Sequence, residues 1–299
     1  MTRRVHPQLA VSTVALALIA YAVGRAFLAQ ILGLHAIPPI PGGLPSLTVI
    51  LTVFGLSHAW YSLGGRLTAL FFVISAVVSY ALEEGGVATG LVYGGYHYTD
   101  YLGAKLGHVP VLIPLAWFMM IYPSYVIASL IVARRPAGTG PGLRGLLAAA
   151  AASAVVMTVW DLVVDPILSG SLNRQPAWIW ESGGAYFGVP IQNYVGWLVT
   201  TFIVYVVYRA AEQRLGLRTA GPMTWRVAAM PVLAYGLMLV GDLLSGVTPV
   251  GVVPIGLVVM GVPFSLALWR VRQLGRTVGD RPDLHDPIAT DPGLQLIRD

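Results

Sequence analysis

The chain has 299 residues, 56% apolar and only 10% charged, with a mean hydropathy of +0.73. Soluble domains carry charge on about a quarter of their residues, so this composition excludes an ordinary water-soluble fold and specifies a membrane protein. The absence of cysteine excludes disulfides, thiolate metal sites, iron–sulfur clusters and a cysteine nucleophile. The net charge of +5 comes without a basic stretch interleaved with aromatics, which sets nucleic-acid binding aside.

About 20 mostly apolar residues cross the hydrocarbon core. Eight stretches meet that length, over 8–32, 44–62, 66–84, 109–133, 144–164, 189–210, 226–244 and 250–271, and they predict an all-α, polytopic membrane helix bundle. The first stretch is too long for a cleaved signal peptide and lacks a small-residue cleavage site, so it is expected as a retained helix. A single transmembrane domain over 1–275 is followed by a polar tail, 276–299, expected to be disordered.

Lysine and arginine collect in cytoplasmic loops. When the 18 basic residues are assigned to alternate sides, 14 fall on one side, Arg66, Arg134, Arg135, Arg209 and Arg270 among them, and only Lys105 and Arg174 on the other. Both termini are therefore expected in the cytoplasm.

The two long connections on the opposite side, 85–108 and 165–188, are rich in Gly, Tyr and Trp. Connections between packed helices run to about 2–8 residues. Tyr and Trp anchor at the headgroup level, but two long aromatic loops on one face predict a cap over a cavity.

Three helix pairs share a layout. Each outward helix ends in acid (Glu83 and Glu84; Asp161 and Asp165; Asp242), a glycine-rich connection follows, and the return is expected to open with Val-Pro at 109–110, 189–190 and 253–254. In the first two pairs a tryptophan, Trp117 or Trp197, comes seven residues after the proline. Proline is at home in a first helical turn, so good helix grammar explains the pattern as well as a parallel duplication does.

Asp161 and Asp165 are four apart, which places them on one helical face about 6 Å apart along the axis. Two carboxylates in a low dielectric rarely both ionise, so the pair is expected to keep a proton and serve as an acid beside its base. Asp165-Pro166 equally reads as a helix stop at the interface. Asp161, one turn deeper, favours function, because intramembrane acids normally face a cavity or a partner. Glu83 and Glu84 are adjacent and point about 100° apart, so at most one can join the same cavity. Six scattered histidines, without H-x-x-x-H or H-E-x-x-H spacing, give no metal site. His58, inside the second span, is expected to bond across helices. No phosphate-cradling glycine motif is present.

The segment EEGGVATGLVYGGYHYTDYLGAKLGHVPVLIPLAWFMMIYPSY (83–125), then WDLVVDP (160–166) and WIWESGGAYFGVPIQNYVGW (178–197), resembles the integral-membrane carotenoid hydratases of the bisanhydrobacterioruberin and γ-carotene 1′-hydratase type. The resemblance covers the third to sixth helices and, more loosely, the remainder. It implies carotenoid biosynthesis by a hydro-lyase that adds water, without cofactor, across the C1=C2 bond of an acyclic ψ-end group to give a tertiary alcohol. The implied substrate is a carotenoid arriving from the lipid phase, with water and membrane lipids as the other partners.

That reaction requires a strong neutral acid, a wall that tolerates a tertiary cation, and one guided water. Asp161, Asp165, Glu83 and Glu84 are the candidate acid–base residues. Trp160, Trp178, Trp180, Tyr186 and Phe187 are candidates for ring faces near the cation, with Tyr96 beside them. Asn193 or His97 would hold the water. A transporter and a lipid- or pigment-binding protein are the rival readings. The first lacks a charged track toward the cytoplasmic side, and the second would need the aromatic loops but no acid pair.

Overall fold

The computed structural model describes residues 6–138, 142–216 and 223–279, so that Arg3, Arg4, Arg218, Arg281 and the tail from 280 onward lie outside the described residues. Among the described residues nine α-helices appear in the order α1 (Pro7–Leu32), α2 (Gly43–Leu63), α3 (Gly65–Thr89), α4 (Ile113–Ala128), α5 (Gly142–Leu168), α6 (Ile191–Leu215), α7 (Trp225–Leu243), α8 (Val252–Val259) and α9 (Gly261–Gly279). A π-helical turn, Ser129–Ala133, extends α4, and α8 with α9 makes one broken span. Among the described residues eight helical stretches are long and apolar enough to cross a membrane, in agreement with the expected all-α membrane bundle.

Burial sets the layering. In α4 every residue from Trp117 to Ala128 is buried, and the helix packs against α2, α3, α5, α7 and α9 as the central post. By contrast α1 buries only Ser12, Ala15 and Ile19 and leans on α2 and α7 at the periphery. His58, fully buried on α2, joins the post, with Nδ1 2.6 Å from Tyr122 Oη and Nε2 2.9 Å from the Val227 carbonyl of α7.

Several helix ends depart from the expected ones. Pro166 lies inside α5, which runs on to Leu168, so Asp165-Pro166 does not stop the helix. Its missing N–H frees the Leu162 carbonyl one turn back, which accepts instead from the Tyr186 hydroxyl at 3.1 Å. Val109-Pro110 is strand rather than the opening of a helix, and α4 starts later with Pro114 in its first turn. Pro190 is the N-cap of α6, as the return of that pair requires.

The two long connections fold onto each other. Strand β1 (Tyr96–Tyr98) from the first pairs antiparallel with β4 (Trp178–Trp180) from the second, in the register Tyr96 to Trp180 and Tyr98 to Trp178. A short hairpin of β2 (Lys105–Leu106) and β3 (Val109–Pro110) lies between them in sequence. Alternate residues of a strand point to opposite faces. Tyr96 and Tyr98 are consequently buried while His97 is exposed, and ring contacts at 5.0 Å (Tyr96–Trp180) and 6.1 Å (Tyr98–Trp178) fasten the ribbon.

Glycine permits the loop to sit this deep. A methyl group added at Gly196 on α6 would lie 2.6 Å from Tyr93 Cδ1, and one at Gly86 on α3 would lie 2.8 Å from Tyr93 Cδ2. Tyr93 is thus wedged between two helices at glycine positions, and its hydroxyl meets Thr200 Oγ1 at 2.8 Å.

Candidate active site

Beneath the ribbon lies a cavity of about 560 Å³, walled by α1 to α7 and covered above by the two long connections. Its α1, α2 and α7 side is mostly aliphatic, with Ile19, Val23, Leu47 and Leu237, apart from Arg25 of α1 and Asp242 of α7, whereas the α3, α5 and α6 side presents Glu83, Asp161, Asp165 and Asn193. One end of the cavity is therefore fit for hydrocarbon and the other for proton chemistry.

The helical repeat accounts for the polar end. Asp161 and Asp165, one turn apart, are 0% and 1% exposed, and both accept from the side-chain amide of Asn193, at 2.8 Å and 2.7 Å. Asp165 is saturated. Its Oδ1 receives Ser169 Oγ at 2.8 Å, Trp178 Nε1 at 2.9 Å and Trp180 Nε1 at 3.0 Å, while its Oδ2 receives Asn193. Asp161 Oδ1 has no hydrogen-bond partner among the described residues. An isolated buried carboxyl oxygen costs about 1–3 kcal/mol, a cost retained at a position that lines the cavity.

Of the two glutamates, only Glu83 joins this site. It accepts from the hydroxyls of Tyr96 and Tyr98, the second at 2.8 Å, and from Trp117 Nε1 at 3.0 Å. Burial first and the Glu83 charge second push both phenols well above their ordinary range, so they remain protonated donors. Glu84 faces the other way and binds His108, Oε1 to Nδ1 at 2.7 Å and Oε2 to the backbone N–H at 2.9 Å.

Trp160, Trp178, Trp180 and Tyr96 line the cavity. Tyr186 and Phe187 do not. A tight turn bridged by Tyr186 and Val189 directs the Tyr186 hydroxyl to the Leu162 carbonyl at 3.1 Å, and leaves Phe187 40% exposed in the left-handed region at φ +48°. His97 is also outside. On the exposed face of β1, its Nδ1 lies 3.7 Å from Glu181 Oε1, away from any water over the acids. Asn193 lines the cavity, but its amide bridges the two aspartates instead of being free to hold water.

Three cavity residues, Trp117, Trp197 and Tyr98, carry no chemical role in the sequence analysis, and Asp242, expected there as the acid that ends the third outward helix, joins them. Trp117 and Trp197 stack at 4.1 Å, and Trp197 meets Trp160 edge-on at 6.0 Å. Tyr98 completes the shell of Glu83, and Asp242 accepts from Trp160 Nε1 at 3.0 Å. The matched spacing of the two tryptophans after Val-Pro was the one signal in the chain that they belong together.

A second polar cluster sits at the opposite end of the bundle. Arg209, assigned by charge counting to the cytoplasmic side, is 0% exposed within α6. It donates to Ser153 Oγ at 2.7 Å and to Ser129 Oγ at 3.2 Å, beneath a Tyr125 ring whose hydroxyl donates to Glu212. Arg209 lies inside the expected 189–210 stretch, near its end, and the rotation of α6 turns its side chain toward Ser129 and Ser153.

Over residues 44–268 the chain matches the carotenoid biosynthesis protein family. It is 35% identical, over 159 residues, to the bisanhydrobacterioruberin hydratase of Haloarcula japonica, a stretch that covers 53% of this chain and 50% of that protein. The chain thus spans about half the length of the curated relative it matches. No solved structure matches it. An acid-lined, aromatic-capped cavity inside a membrane bundle, together with a family match over most of the chain, makes this protein a member of the carotenoid biosynthesis protein family.

Proposed function

We propose that the protein is a hydro-lyase that adds water to the terminal C1=C2 bond of an acyclic carotenoid. The observation that carries this reading is the inequality of Asp161 and Asp165. An oxygen pair that receives four N–H and O–H donors acts as an acceptor only, which makes Asp165 the ionised partner. Asp161, with Oδ1 unpartnered among the described residues, then holds the pair's proton on the atom left free for it. Glu83, with three donors, is a second fixed negative charge.

Asp161 transfers its proton to C2 and the positive charge develops at C1. The stacked rings of Trp117 and Trp197, together with Trp160, present faces to that cation, while Asp165 and Glu83 stabilise it at longer range. Water then closes the tertiary alcohol. The aliphatic α1 and α2 side receives the polyene from lipid, and the cap is assigned to the extracytoplasmic side because basic residues cluster at the other end. The name of the Haloarcula relative supports hydration as the reaction class.

Membranes containing the full chain, given lycopene in oxygen-18 water without dioxygen, should yield a mono- or dihydroxylated product carrying the heavy label. Product that forms only when oxygen-18 dioxygen is admitted and carries that label, or a pigment bound and unchanged, would instead identify an oxygenase or a binding protein.

A further inference from the structure

We propose that Asp242 is a second catalytic residue, the base that takes the proton from the attacking water. This inference rests on the hydration reading above. Hydration needs an acid at C2 and an acceptor for the proton lost from water at C1. The polar end of the cavity is poorly supplied with acceptors, since both oxygens of Asp165 and both of Glu83 already receive donors.

Asp242 differs from them in three ways. It lines the same cavity but from α7, on another side from Asn193 and α6. Its carboxylate receives a single hydrogen bond among the described residues, Trp160 Nε1 on Oδ2 at 3.0 Å, which leaves Oδ1 open to accept. It is also half-buried rather than sealed, with Ser245 and Thr248 on the loop just beyond it, so a captured proton has a short path to water.

The two acids are held apart by one residue. Neighbours on a helix point about 100° apart. Trp160 accordingly reaches toward α7 and Asp242, while the next residue, Asp161, reaches toward α6 and Asn193. Two consecutive residues of α5 thus lead to two carboxyl groups, each with an oxygen that receives no hydrogen bond among the described residues.

The steps balance without a co-reactant. The alkene π pair forms the C2–H bond with the Asp161 proton, leaving a cation at C1. A lone pair of water forms the C1–O bond, and one water proton passes to Asp242. Asp242 releases that proton to solvent and Asp161 regains one, so the sum is alkene plus water to alcohol.

Deuterium exchange separates the two roles. Wild-type protein, D161N, D242N and W160F are compared in membranes with lycopene in heavy water, following both alcohol and deuterium incorporated into unreacted lycopene. Reversible protonation exchanges the alkene even when water capture fails. We expect D161N to lose both signals. D242N should lose alcohol by about 100-fold or more, the usual scale of a general base, while keeping exchange within about threefold of wild type. W160F retains the carboxylate and should lower both signals by one shared factor. In D242G, formate should restore part of the alcohol formation. Wild-type alcohol yield from D242N, or equal loss of exchange and alcohol, would overturn the base and leave the hydration reading standing. A wild-type protein that forms no alcohol removes the reaction itself and the base with it.

Discussion

Asn193 Nδ2 lies 2.8 Å from Asp161 Oδ2, and this bond ties the acid of α5 to the first turn of α6. The same nitrogen serves Asp165 at 2.7 Å, so one amide sets the spacing of both carboxyls. Replacing Asn193 by leucine removes a donor from two buried oxygens at about 1–3 kcal/mol each. The variant should show a lowered melting temperature in detergent and turnover reduced by more than tenfold. Unchanged turnover would mean that the acid pair is not held by this amide.

Asp161→Asn should abolish hydration in a protein that still inserts and keeps its melting temperature within a few degrees, since volume barely changes. Asp165→Asn should be impaired less. It keeps the side-chain shape but turns an acceptor-only group into a mixed one among four donors. Product analysis in a lycopene-producing host reads the order of the two.

Trp197 gives the cleanest test of a ring acting by its face. Trp178 and Trp180 also donate N–H to Asp165, so leucine there removes two things at once. No hydrogen bond from the Trp197 indole was found among the described residues, and the ring stacks on Trp117 at 4.1 Å. A well-placed ring is worth about 0.5–2 kcal/mol to a cation, or roughly two- to thirtyfold in rate. Trp197→Leu should slow turnover within that range and Trp197→Phe should recover part of it. Equal rates for the two variants would assign the cation to the carboxylates alone.

Alanine at Gly196 or Gly86 should displace Tyr93, because the added methyl would meet its ring at 2.6 Å or 2.8 Å. Overpacking of this kind costs about 1–3 kcal/mol, measurable as a lower detergent melting temperature. Both changes should also lower activity, because Tyr93 lines the cavity.

Reporter fusions after Gly95 and Ser171 should behave as extracytoplasmic, since the basic residues gather at the other end. Cytoplasmic signals at both would reverse the orientation of the whole bundle.

The spans and the acid face were legible because they depend on local periodicity. Length and hydropathy mark a crossing helix, and a four-residue spacing fixes Asp161 and Asp165 on one side wherever that helix packs. What could not be read is whatever depends on helix rotation or on pairing across distant loops. Glu83 rather than Glu84 faces inward because α3 presents that side to Trp117 of α4. Tyr98 enters the site, and His97 leaves it, because β1 pairs with a strand about 80 residues later in one register. Tyr186 and Phe187 have the right chemistry in the right loop, yet a two-bond turn aims them elsewhere. Arg209 shows the same limit in reverse, since counting charges cannot see that one of them points into the protein.

The cavity lies at one end of the bundle, under a single ribbon. A hydrocarbon core is about 30 Å thick, comparable to a rod-like polyene, so a carotenoid spanning the bilayer holds its two ends in opposite leaflets. Under the proposed reaction only the end in the leaflet beneath the ribbon is within reach. A substrate with two identical termini must therefore leave, invert across the membrane and return before its second end reacts. The first hydroxyl opposes that inversion, because it must be dragged through the apolar midplane. The half-converted molecule is then expected to build up early in a time course, with the ratio of single to double product set by how fast lipids let the rod turn over.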